Sequence, residues 1–136
     1  MWKPRTALIQ VKTTKGKSFP LGFTIDQCLD MDFLKERVIG PWVFIAVDSE
    51  NDTSTFRCYV LTRNQVIELA YKAHDWYKNM WKRDKDIKGT SVAALNEEWL
   101  YGEIKKCEGT TPQHPAFVNP LKGAQTKEAW ENIWTE

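Results

Sequence analysis

Gln10 and Lys12 stand two residues apart in the stretch ALIQVKTT, whose alternation is that of a β-strand. In a strand this spacing puts both side chains on one face, about 6–7 Å apart along the chain. An amide oxygen there can orient a Mg²⁺ ion or its water shell. A lysine beside it can polarise an attacking water or steady the charge of a phosphorane. The same pair on a solvent-facing edge is only a wetted strand, so the elements around it carry the decision.

Basic residues form the second kind of candidate. Lys15 and Lys17 follow Lys12 closely, and WYKNMWKRDKDIK interleaves Trp76, Tyr77 and Trp81 with Lys78, Lys82, Arg83, Lys85 and Lys88. Such interleaving suits phosphate backbones and stacked bases, while its plain alternative is a solvated helix end whose cations suit the negative end of the helix dipole. The net charge is only +1, so any attraction to nucleic acid is local.

Other chemistries find little support. His74 falls inside a helical pattern and reads as structural, and His114 has no second histidine at ligand spacing. No Cys–His or Ser–His–Asp arrangement is discernible, and Gly16 is a lone glycine rather than a phosphate-binding loop. The three cysteines lie far apart, which points to reduced thiols in a cytoplasmic protein and no zinc site. No apolar run reaches the roughly 18–20 residues of a membrane helix, and MWKPRTA lacks the apolar region of a signal peptide. Seven tryptophans in 136 residues read as core filling.

The elements that must position Gln10 and Lys12 follow in order. A strand over 7–14 leads into KGKSFPLGF, a turn-rich connection with Gly16, Pro20 and Gly22 as breakers. Thr24 and Gln27 match a capping box for a helix over about 25–37, which Gly40-Pro41 ends. WVFIAV (42–47) is a strand buried on both faces, and FRCYVL (56–61) is its antiparallel partner. Thr62 and Gln65 cap the longest helix, about 63–82, with Val66, Leu69, Ala70, Ala73, Tyr77 and Met80 on one stripe. VAALNEEWLYGEIKK then reads as a helix, 109–120 as extended chain, and TKEAWENIW as a short helix capped by Thr126. One domain over 1–136 results, with its core over 5–82 and an irregular or helical tail over 89–136. Its class is α/β, a mixed sheet flanked by helices, with a parallel pair between the first two strands.

IQVKTTKGKS followed by a helix and two strands resembles the PD-(D/E)XK nuclease superfamily, most of all bacterial restriction-endonuclease-like proteins, and CYVLTRNQVIELAYKAHDWYKNMW resembles the segment after their core sheet. The likeness covers residues 5–82. It implies a restriction-endonuclease-like core lacking its first strands, with Gln10 in the place of the second acid and Lys12 as the lysine. The family's first aspartate has no counterpart, because no Asp or Glu precedes Asp26. The resemblance therefore implies a degenerate nuclease-like domain that binds DNA. Cleavage with Mg²⁺ would need an acid from another chain or from sequence upstream, and Asp26, Asp48 and Glu50 are the acids elsewhere in this chain. The other reading is a non-catalytic interaction module, a homodimer or partner-bound form pairing through an exposed sheet edge.

Overall fold

A sheet must carry its most apolar strand between two others, because only there are both backbone edges paired and both faces coverable. In a computed structural model, which describes residues 5–50, 52–81, 88–100 and 117–135, that strand is β3 (Trp42–Glu50). β1 (Gln10–Thr14) runs parallel to it with Gln10 opposite Trp42 and Lys12 opposite Phe44. β4 (Thr53–Leu61) runs antiparallel, from Trp42 opposite Leu61 to Glu50 opposite Thr53. The sheet order is β1-β3-β4.

The chain between β1 and β3 forms β2 (Ser18–Thr24), α1 (Ile25–Cys28) and α2 (Met31–Arg37). The capping box is present: Gln27 N–H donates to Thr24 Oγ1 at 3.2 Å, and Thr24 N–H donates to Gln27 Oε1 at 2.9 Å. One continuous helix over 25–37 is not formed. Asp30 accepts from Phe33 N–H at 3.1 Å and starts a second helix, the side chain diverting the backbone as N-cap residues do. Both short helices still bury their apolar residues in one core, through Ile25, Cys28 and Leu34.

KGKSFPLGF is likewise more than a connection. Its breakers conceal a period of two in which Phe19 and Leu21 are buried between exposed Ser18, Pro20 and Gly22. β2 pairs antiparallel with β5 (Val92–Asn96), and the register shifts between Pro20 and Thr24, where Gly22 takes φ 81. The helix expected over VAALNEEWLYGEIKK is replaced by β5 and a 3-10 turn over Glu97–Leu100, and the rest of it lies outside the described residues. Ala93 and Leu95 bury against β2, so long-range pairing overrides the helical preference of Ala and Leu.

α3 (Arg63–Trp81) forms with its Thr62–Gln65 box, and of the expected stripe Val66, Leu69, Ala70 and Ala73 are buried while Tyr77 is exposed. Arg63 donates to the carbonyls of Val38 and Lys35, both at 2.6 Å, and so closes the end of α2. Thr126 does not cap a helix. Val60 N–H donates to Thr126 O at 2.8 Å and Glu128 N–H to Cys58 O at 2.9 Å, so residues 126–128 pair with the outer edge of β4. Only a 3-10 turn, Trp130–Trp134, follows.

The sheet's two faces differ. Trp42, Phe44, Ala46, Tyr59 and Leu61 join one cluster with Phe19, Leu34, Leu69 and Leu95, and Phe19 meets Phe44 edge-on at 5.3 Å. The opposite face carries Val11, Val43, Ile45, Val47, Phe56, Cys58 and Val60, with Val43 and Val60 buried and Phe56 62% exposed. No helix among the described residues is long and apolar enough to cross a membrane. Phe44→Ala should cost about 3–5 kcal/mol in denaturant unfolding, whereas Phe56→Ala should cost well under that. Equal losses at the two positions would contradict this division of faces.

Candidate nucleic-acid interface

The period of two along β1 sends Gln10 and Lys12 to the face that also bears Trp42 and Phe44. There they line a groove of about 410 Å³ together with Gly22, Phe23, Arg37 and Trp42. Lys12 Nζ stands 5.3 Å from the Trp42 ring centroid, a cation–π contact that holds the ammonium in place. Gly22 matters here because a side chain at φ 81 would be strained, and its Cβ would lie in van der Waals contact with Lys12 Nζ. Trp42 packs on Phe23 at 6.0 Å, Phe23 on Phe33 at 5.4 Å, and the Arg37 guanidinium lies 5.2 Å over Phe33. Two cations thus sit on one connected run of rings. Gly40 closes one wall, since a Cβ there would meet the Leu8 carbonyl oxygen at 2.2 Å.

The polar lining of this groove is an amide and two cations, which suits an anion. Mg²⁺ takes carboxylates, and no carboxylate lines the groove, so these residues do not fit the ion. Asp26, Asp48 and Glu50 lie elsewhere. Asp48 lies four residues beyond Phe44, about 13 Å along the strand from the level of Lys12, and Glu50 is farther still. Asp26 pairs with Lys78 at 3.1 Å. Among the described residues no group of three or more His, Cys, Asp or Glu is placed to hold a metal.

Lys12, expected as the catalytic lysine, lies in the groove, and none of Lys15, Lys17 and Lys78, expected to bind nucleic acid, lines it. Lys15 is exposed and lines a separate open groove of about 660 Å³ with Asp48 and Glu50. Lys17 is exposed, and its carbonyl accepts from Glu97 N–H at 2.8 Å. Lys78 is tied to Asp26, and Lys82 and Arg83 lie outside the described residues. Arg37 and Phe23 carry no local signal, because only the fold of α2 and β2 around β1 brings them to Lys12.

A second polar cluster lies on the same sheet face. Arg57 donates to Glu97 through Nε at 2.7 Å and Nη2 at 3.0 Å, Tyr59 OH donates to Glu97 at 2.8 Å, and Asp48 also accepts from Arg57. The alternation Arg57-Tyr59-Leu61 marks Arg57 as core-facing, a signal readable before the structure. The Arg57 hydrogen bonds hold both carboxylates below their usual range; burial opposes this at each, and Tyr59 assists at Glu97. Burial lowers the His74 pKa against the pull of backbone bonds to Ala70 and Ala94, and burial pushes the Cys28 thiol up to about 12, leaving it unreactive.

The shifts of His74, Glu97 and Asp48 share one sign, and that of Cys28 is opposite. A group that binds its proton more weakly when folded stabilises the fold above its unfolded pKa and loses that stabilisation as pH falls. Unfolding free energy should therefore begin to drop below about pH 6.5 through His74 and fall further below about pH 4.3 through Glu97 and Asp48. Glu97→Gln should flatten the second, more acid limb; a limb of unchanged slope would refute the role given to Glu97. Comparison with family models, with curated proteins and with solved structures finds no match, so the function of this groove rests on its chemistry.

Proposed function

We propose that this chain is a nuclease-like domain that binds DNA in the Gln10–Lys12 groove and does not, with its described residues alone, assemble the metal site that cleavage needs. The observation that carries the reading is the lining of that groove: Lys12 and Arg37 over aromatic rings, with Gln10 between groove and strand edge and no carboxylate. Cations held on rings are pre-placed for phosphate oxygens, since little side-chain freedom is lost on contact. Gln10 offers both a donor and an acceptor to a sugar or a base edge. The sequence resemblance of IQVKTTKGKS to the PD-(D/E)XK superfamily supports DNA as the polyanion.

Fluorescence anisotropy with a labelled DNA duplex tests the reading. Binding at about 50 mM salt should weaken steeply as salt rises, because each neutralised phosphate releases counterions. Lys12→Ala should lower affinity about tenfold and reduce the salt slope by about one, uniformly across sequences. Arg37→Ala should act similarly, while Lys72→Ala, whose ammonium is paired with Glu68 on α3, should change little. Supercoiled DNA should stay intact with Mg²⁺ or Mn²⁺. Absence of binding at low salt would refute the reading, and metal-dependent nicking that Lys12→Ala abolishes would replace it with an active nuclease.

A further inference from the structure

The groove that holds Lys12 and Arg37 carries more than charge on its walls. Leu8, Ile9 and Ile39 also line it and are 71%, 42% and 67% exposed, so aliphatic side chains stand open to solvent beside two cations. Gly40 brings Leu8 and Ile39 to the same wall through its close approach to the Leu8 carbonyl oxygen. Phe23 is half-buried and Trp42 buried, so the rings of the lining lie deeper than this aliphatic rim. Apolar side chains left exposed together at the mouth of a polar groove add nothing to folding, and they suit a ligand that is itself partly apolar.

The placing of these groups separates the two forms in which DNA presents its phosphates. Along the run of rings, Lys12 lies on Trp42 at one end and Arg37 on Phe33 at the other, with Phe23 between the two rings. A phosphate ribbon bound by charge alone gains nothing from apolar surface between the cations. An unstacked nucleotide matches it, because a base with its π-face open lies between one phosphate and the next. A groove of about 410 Å³ has the size that encloses a small organic ligand. A duplex, whose major groove alone is about 12 Å wide, keeps its bases stacked inside and can only lie across the mouth.

We infer that the groove is a single-strand site that takes one unstacked nucleotide of a DNA strand, its base against Phe23, Leu8 and Ile39 and its flanking phosphates on Lys12 and Arg37. The inference rests on the proposed DNA reading and narrows it. Arg37 is exposed and has one face of its guanidinium on Phe33, so the other face can extend the stack onto a neighbouring base. Gln10, exposed in the same lining, meets the base edge with one donor and one acceptor. Stacking accepts any base, so the site has little sequence preference. A duplex still binds through its phosphates, but more weakly.

Fluorescence anisotropy at about 50 mM salt tests this with three ligands of equal length: a single DNA strand of about 12 nucleotides, its duplex, and an abasic strand with the same phosphates. The single strand should bind at least about tenfold tighter than the other two, as contact with one base provides. Leu8→Ser and Ile39→Ser change exposed positions and should leave the circular dichroism spectrum and melting temperature as they are. Each should lower single-strand affinity several-fold at an unchanged salt slope, whereas Lys12→Ala should weaken all three ligands and lower the slope. An abasic strand bound as tightly as the normal one would overturn the base contact, as would full affinity in both serine variants. A duplex bound as tightly as the single strand would overturn the single-strand site. In each of these cases DNA still binds, so the broader reading survives; if none of the three ligands binds, that reading fails and the inference with it.

Discussion

Phe44 is where the two sheets meet, and the rest of the structure depends on that contact. β3 holds it between β1 and β4, and Phe19 from β2 closes on it edge-to-face. Phe19 sits in β2, which pairs with β5, and β5 runs directly into Glu97. Glu97 then reaches back across the sheet to Arg57 and Tyr59 on β4. A closed circuit results, apolar at one end and ionic at the other. The apolar end supplies the larger driving force, as burial of two phenylalanines and their neighbours must. The ionic end ties the 3-10 turn that follows β5 to Arg57 and Tyr59 of β4. A carboxylate this buried is tolerable only with both its partners in place.

This circuit also explains what the sequence reveals and what it conceals. β3 and α3 are readable because one continuous apolar run and one helical stripe each exceed the length at which chance mimics them. The two capping boxes are readable because their chemistry is complete within four residues. β2 and β5 are concealed for the opposite reason. Ser18–Thr24 is full of turn formers and Val92–Asn96 of helix formers, and each becomes a strand only because the other is there. Thr126 follows the same rule: an apt helix cap by type, it is drawn instead to the open hydrogen-bonding groups of β4. The candidate site divides along that line. That Gln10 and Lys12 share a face follows from the period of a strand alone. That Arg37, Phe23 and Gly22 join them follows from elements 10 to 27 residues away, whose approach no local pattern records.

The groove's electrostatics separate two chemistries that the Gln-x-Lys spacing leaves open. A metal-assisted hydrolysis needs a local field that draws in a divalent cation, and the cation then supplies the positive charge at the reacting phosphate. Here that positive charge is already present as Lys12 and Arg37, each seated on an aromatic ring. A ring face can hold an ammonium without neutralising it, unlike a carboxylate, so the field at the groove stays positive. Where Arg57 meets Glu97 and Asp48, the opposite arrangement holds, and the charges spend themselves on each other. One sheet face thus carries a saturated polar cluster at one end and an unsaturated one at the other.

The unsaturated end lies beside the edge of β1 that pairs with no strand among the described residues, and the two features bear on each other. Any strand laid along β1 places alternate side chains about 5 Å from Gln10 and Lys12, on the groove's own face. A strand bearing a carboxylate there would reverse the local field and create a cation site. A strand bearing Gln and Lys, which is what a second copy offers, would instead double the positive charge. A strand pairing at that edge would therefore set the sign of the field in the groove.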